Sequence, residues 1–275
     1  MKKLALYGGD PVINYEFQKY NSIGIEEENA ALEVIRSGVL SGFVGEAGDG
    51  FNGGPKVQEF EKHCEEYFKV KHAITVNSWT SGLVAAIGAI GIEPGDEVIV
   101  TTWTMCASAT AILHWCAIPI FADIEPNTFC ISPESIEKNI SHKTKAILAV
   151  DIFGQSCDVD ALKKICKKHN LKLIFDSAQS PNARYKNEYV GTLGDIGGFS
   201  LNYHKHIHTG EGGILVTNSD EYAENLRLIR NHGEAVVAKI NKKDITNIIG
   251  HNFCRSKAFT IYSYFKWAFY WRSRQ

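Results

Sequence analysis

An α/β fold built on a mainly parallel sheet is the architecture this sequence predicts, and three observations carry it. From residue 73 onward, short apolar runs alternate with stretches of helical spacing. Those runs are apolar throughout rather than at every second residue, as strands buried on both faces must be. Polar residues gather where the runs end, at Asn77-Ser78, Thr102-Trp103, Asp176 and Ser200. In open parallel sheets, ligands sit beyond the carboxyl ends of the strands.

The elements follow in order. Residues 1–54 read as an irregular arm with one helix, Glu26 to Ser37, ended by Gly38, and a glycine-rich loop from Ser41 to Gly54. A loop of that length and composition means either disorder or binding. Pro55 suits the first helical position, and Val57, Phe60, Cys64, Tyr67 and Phe68 make an apolar stripe running to about Val70. Ala73–Val76 is a strand and Ser81 to Ile92 a helix. Pro94-Gly95-Asp96 turns into the strand Glu97–Thr101. Ala107–Trp115 is helical, Ile118–Ala122 a strand, Pro133–Asn139 a short helix, and Ala146–Asp151 a strand. Asp158 is placed to cap an amphipathic helix to His169. Leu171–Asp176, Gly198–Leu201 and Gly213–Thr217 complete the strands, and Asp220–Asn231 is the last good helix.

Bulk properties narrow the function. The 275 residues are 44% hydrophobic, enough for a sizeable core, and the net charge of −2 gives no basic field for nucleic acid. Seven cysteines are scattered singly, which fits reduced thiols in a cytoplasm. The N-terminus lacks the apolar core of a signal peptide, and no apolar run reaches membrane-spanning length.

The chemistry centres on Gly198 to Gly213, where Lys205 stands among His204, His206 and His208 between an apolar run and a glycine-rich turn. An amine attacks a carbonyl only when neutral, and burial or neighbouring cationic groups lower a lysine pKa to allow that. The three histidines could instead form a metal site, since alternate residues of an extended segment share a face. No Cys-x-x-Cys or His-Glu-x-x-His accompanies them. A solvated loop lysine is the plainest alternative.

Asp176 ends a strand about thirty residues before Lys205. A carboxylate there could pair with a pyridine nitrogen and keep it protonated, which improves the ring as an electron sink. Asn77 to Thr80 opens a helix, whose free N–H groups and dipole favour a phosphate, and Ser200 could add a hydroxyl. Lysine for an aldehyde, acid for a ring nitrogen and helix terminus for a phosphate match the needs of pyridoxal 5′-phosphate.

At this point the chain resembles a family, the DegT/DnrJ-type sugar aminotransferases within the fold-type I pyridoxal-phosphate enzymes. The resemblance runs from about Gly8 to Asn252. It rests on Gly95-Asp96-Glu97-Val98-Ile99-Val100, Ile120-Phe121-Ala122-Asp123-Ile124, Phe153-Gly154-Gln155, Asp176-Ser177-Ala178-Gln179, Gly194-Asp195-Ile196-Gly197 and Gly210-Glu211-Gly212-Gly213, taken as an ordered set. It implies an aspartate-aminotransferase-like large domain, with Lys205 holding the cofactor aldehyde and moving the proton. Asp176 would pair with the ring nitrogen, and Gln179 would contact the ring hydroxyl side. Ser78, Trp79, Thr80 and Ser200 would contact the phosphate, and Asn252 would reach the phosphate of the neighbouring subunit in a homodimer. The implied reaction passes nitrogen from an amino-acid donor, glutamate or glutamine, to a nucleotide-linked keto sugar. Related enzymes that deoxygenate sugars have histidine in place of the lysine.

Three departures stand out. Trp79 occupies a position where the family often has glycine, tolerable if only its backbone N–H is used and the indole points away. Met105 stands where an aromatic ring commonly stacks on the cofactor; a thioether can pack on a ring face, and Trp103 is near. For all three side chains, plain core packing is the alternative. Beyond Phe253 the match is lost. The expected organisation is therefore an arm and loop over 1–54, a cofactor-binding large domain over 55–253, and an atypical tail over 254–275, with the C-terminal small domain largely missing. The tail reads as a truncated or out-of-frame terminus, or as a membrane-surface helix. A truncated, non-catalytic remnant that keeps the cofactor-binding fold is the competing reading of the whole.

Overall fold

A computed structural model describes residues 3–18, 21–44 and 49–233. These fall into two compact units, one ending at Ser41 and one beginning at Gly42. The first contains α1 (Ile25–Ser37), whose start is closed by the Glu27 carboxylate accepting from the Gly24 N–H at 2.7 Å. Gly38 ends it with a φ of 72°, a conformation only glycine adopts without strain.

The second unit is the α/β domain, and its elements run α2 (Pro55–Phe68), β1 (His72–Val76), α3 (Trp79–Ala89), β2 (Glu97–Thr101), α4 (Cys106–Leu113), β3 (Ile118–Ala122), α5 (Pro133–Asn139), β4 (Thr144–Val150), α6 (Val159–His169), β5 (Lys172–Asp176), β6 (Arg184–Tyr185), β7 (Glu188–Tyr189), β8 (Ile196–Ser200), β9 (Gly213–Thr217) and α7 (Asp220–Arg230). Pro55 opens α2, and the Asp158 carboxylate caps α6 by accepting from the Ala161 N–H at 3.1 Å. Helix α3 starts two residues earlier than its sequence spacing predicts, because Ser78 serves as N-cap and accepts from the Ser81 N–H. The β6–β7 hairpin has no counterpart in the apolar pattern, being only two residues a side.

Seven strands form one sheet in the order β1-β9-β8-β5-β4-β2-β3. The block from β8 to β3 is parallel, as the buried apolar runs predict. β9 runs antiparallel to both β8 and β1. The segment from 201 to 212 contains no helix that could carry the chain back across the sheet, so it reverses direction instead.

Alternate residues of each strand feed opposite cores. Val98, Val100, Leu148, Ile174, Ile196 and Leu215 pack under α3, α4 and α7. Ile99, Ile147, Ala149, Leu173 and Phe175 face α5 and α6 on the other side. There α2 covers the rest, with Phe68 stacked on Phe199 at a centroid distance of 4.4 Å. Because β1 is parallel to β8 through β9, the carboxyl ends of β1, β2, β4, β5 and β8 and the start of β9 all lie along one edge.

Candidate active site

That edge collects most of the residues singled out from the sequence. Asp176 ends β5, and its register partner on β8 is Gly198, two residues before Ser200. Ser200 pairs with Gly213, which pairs in turn with Val76, just ahead of the α3 N-terminus. Ser78, Trp79 and Thr80 are thus brought beside Ser200 by three adjoining strands. The Ser81 N–H is taken by Ser78 Oγ, so the Trp79 and Thr80 N–H groups are the ones that lie outside the helix's own ladder and remain donors toward this edge.

Lys205 sits in the loop between β8 and β9. Bonds from Leu201 N–H to the Gly212 carbonyl at 2.9 Å and from Thr209 N–H to the Leu201 carbonyl at 3.0 Å close its neck. Within the loop, the Lys205 N–H donates to the Asn202 carbonyl at 2.9 Å. Partial burial holds the Lys205 amine below the usual lysine range, while the negative charge of Asp176 acts in the opposite sense. Of the two causes the sequence offers, burial and neighbouring cationic groups, burial is the one that acts here; His204 and His206 are exposed. Among the described residues, no group of three histidine, cysteine or acidic side chains is arranged to hold a metal ion.

Asp176 is buried, and its carboxylate is held by three donors. The Trp79 indole N–H donates to Oδ1 at 2.7 Å, the Ala178 N–H to the same oxygen at 3.2 Å, and the Ser108 hydroxyl to Oδ2 at 2.7 Å. Thr104 Oγ1 and Ser108 Oγ share a further bond of 2.8 Å. The Trp79 indole therefore points inward onto the carboxylate, not away as the sequence reading allowed. Ser108 and Thr104 escaped that reading. They are ordinary-looking hydroxyls, and only the packing of α4 beside β5 gives them a partner.

Gln179 is oriented by its neighbour. The Phe153 N–H can only donate, so the atom facing it at 3.0 Å is the amide oxygen, which leaves the Gln179 NH2 as a donor. Phe153 has a φ of 54°, and the Gly154 N–H donates to Ser180 Oγ at 3.1 Å, which pins this bend over the end of β5. Met105 directly precedes α4 and is 65% exposed. Trp103, also exposed, packs against Phe129 with ring centroids 5.6 Å apart. Asn252 and the 254–275 tail lie outside the described residues.

Comparison with known proteins places this geometry in context. Residues 43–255 match the DegT/DnrJ/EryC1/StrS aminotransferase family. The chain is 40% identical over 216 residues to the spore coat polysaccharide biosynthesis protein SpsC of Bacillus subtilis, a match covering 78% of this chain and 53% of that protein. It is 40% identical over 200 residues to GDP-perosamine synthase of Vibrio cholerae, covering 73% of this chain and 53% of that one. Among solved structures, an aminotransferase from Psychrobacter cryohalolentis superposes with a TM-score of 0.74 at 33% identity, over 82% of this chain and 55% of the other. The chain spans about half the length of the curated relatives it matches.

Proposed function

The chain belongs to the DegT/DnrJ/EryC1/StrS aminotransferase family, and from that premise we propose that it holds pyridoxal phosphate on Lys205 and passes an amino group from glutamate or glutamine to a nucleotide-linked keto sugar. One observation carries the reading: a lysine whose charged form is disfavoured by burial stands within electrostatic reach of a buried strand-end carboxylate.

The donor set fits the group. A carboxylate offers about four lone-pair sites; Trp79, Ala178 and Ser108 occupy three at Asp176, which leaves one on Oδ2 for a pyridinium N–H. The Gln179 NH2 is a spare donor suited to the ring hydroxyl oxygen. The Trp79 and Thr80 N–H groups, with the Ser78, Thr80 and Ser200 hydroxyls, suit a phosphate at the α3 N-terminus. In this reading the exposed Met105, directly before α4, would pack its thioether against the ring face.

When bound, pyridoxal phosphate supplies an aldehyde for amine capture and a ring that takes up electrons released at the substrate carbon. Lys205 would hold the group through its neutral amine and would move the proton at the substrate carbon. Asp176 keeps the ring nitrogen protonated, and its three donors keep the carboxylate in place. The relatives named for spore coat polysaccharide and for GDP-perosamine support a sugar acceptor. The reading extends to a homodimer in the cytoplasm, completed across subunits by Asn252.

The test is an absorbance spectrum of purified protein with pyridoxal phosphate, before and after borohydride, beside Lys205→Ala. A visible band that borohydride fixes to the wild-type chain, and that the variant lacks, is the expected result. No band in folded wild-type protein would overturn the proposal.

A further inference from the structure

We propose that Trp79 is a positioning residue for the ring-nitrogen partner: its indole N–H fixes Asp176 so that the remaining Oδ2 lone pair meets a pyridinium nitrogen. The inference rests on the reading of the site as a pyridoxal-phosphate site and assigns a role to a side chain that this reading uses only for its backbone.

The contact is built into the fold. Trp79 lies 97 residues from Asp176 in sequence, and both side chains are buried. The indole lies in a slot that two glycines leave open, and a third lets the Trp79 backbone approach β9. A Cβ on Gly198 would meet the six-membered ring of the indole at 2.6 Å, and one on Gly82 would approach it to 3.0 Å. A Cβ on Gly213 would come within 2.9 Å of the Trp79 Cα. Gly198 is also the register partner of Asp176, so the strand beside the carboxylate is the one that makes room for the ring. Gly82 stands one helical turn after Trp79, where α3 crosses the same slot.

Hydrogen bonding does the rest. An indole nitrogen donates and never accepts, so Oδ1 can hold it in only one way. With Ala178 N–H on the same oxygen, Oδ1 is saturated and the carboxylate cannot rotate without losing both bonds. The oxygen left with capacity is Oδ2, which Ser108 fills only in part. Trp79 thus selects which oxygen serves the ring and holds its plane, a function that plain core packing of an aromatic ring would not supply.

Trp79→Phe removes the donor and keeps most of the apolar volume. The experiment measures binding of pyridoxal phosphate and of its 1-deaza analogue, which lacks the ring nitrogen, to wild type and variant. Fold is checked by circular dichroism. Loss of one hydrogen bond to a charged group predicts about tenfold weaker binding of pyridoxal phosphate. The analogue should bind the two proteins within about twofold of each other, because it cannot use Asp176. Equal losses for both ligands would mean a purely structural role, and no loss for either would mean no role; each overturns the proposal. A wild type that binds neither ligand overturns the cofactor reading itself, and this inference with it. If Trp79→Phe does not fold, the Trp79 indole N–H resonance of 15N-tryptophan-labelled wild type gives the answer. It must move on adding pyridoxal phosphate and move less with the analogue, and a resonance indifferent to the ring nitrogen overturns the proposal.

Discussion

Asp151 and Asp176 stand side by side at the ends of β4 and β5, joined by a hydrogen bond from the Asp151 N–H to the Asp176 carbonyl at 3.0 Å. Their carboxyl groups live in different settings. Asp176 has three donors, whereas Asp151, fully buried, has the Ser177 hydroxyl at 2.6 Å and the Cys157 N–H at 2.9 Å. Burial pushes the Asp151 carboxyl up to about 6, with the charge of Asp176 adding to the effect.

That shift has a sign. Between the unfolded carboxylate value near 4 and about 6, the folded chain binds more protons at Asp151 than the unfolded chain does. The contribution of Asp151 therefore falls as pH rises through this window, by roughly 2–3 kcal/mol in all. Asp151→Asn keeps an acceptor for Cys157 and a partner for Ser177. It should be at least as stable as wild type at pH 7, and its advantage should shrink towards pH 4. Urea denaturation at the two pH values checks this, and a variant that gains most at acid pH would contradict it.

Lys205 should titrate below 10.5, the ordinary lysine value. Asp176 opposes that depression, so Asp176→Asn should lower the amine further. Titration of the 13C-methylated lysine by NMR, in protein without cofactor, reads both. An upward move in the variant would show that Asp176 does not act on the amine.

Gln179→Glu should separate anchoring from binding. Glutamate still accepts from the Phe153 N–H, so the bend at 152–154 and the melting temperature should hold. The spare donor is replaced by an anion, and pyridoxal-phosphate affinity should fall about tenfold or more. Calorimetric titration beside a thermal melt measures the two effects, and equal binding by wild type and variant would exclude Gln179 from the site.

Arg230 and Glu61 form an ion pair at 2.7 Å with both side chains only 8% exposed. The same Glu61 oxygen accepts from the Thr75 N–H and hydroxyl, each at 2.8 Å, and the guanidinium lies 4.6 Å over the Phe43 ring. Arg230→Ala leaves a buried carboxylate without its cation and should cost about 3–5 kcal/mol. Arg230→Met combined with Glu61→Gln should recover most of it. Urea unfolding of the three proteins decides, and a cost below about 1 kcal/mol for the single change would refute the assignment.

Much of the frame was legible in the sequence because its signals are local. β2, β3, α5 and β9 lie where their apolar runs and turn residues place them. The direction of β9 was not legible from its apolar residues, since a buried strand reads the same either way. The clue lay in the 201–212 segment, which has no helix for a crossover. Within the site, strand ends and helix starts drew attention to Asp176, Ser200 and Ser78. Ser108 and the Trp79 indole were missed for one reason: their partner is 68 and 97 residues away, and such a bond exists only after the sheet has brought α3 and α4 against β5.

The pairing of β1 with β9 sets a timetable for biosynthesis. Val76 meets Gly213, its partner across the sheet, only after roughly 140 further residues have been made. At ribosomal rates of about 5–20 residues per second, that is a delay of roughly 7–28 s. During it β1 has no neighbour, and Ser78 and Trp79 have neither Ser200 nor Gly213 beside them. The nascent chain thus carries an unmatched apolar strand until β9 emerges, a window in which chaperones have a target and in which the cofactor cradle cannot yet exist.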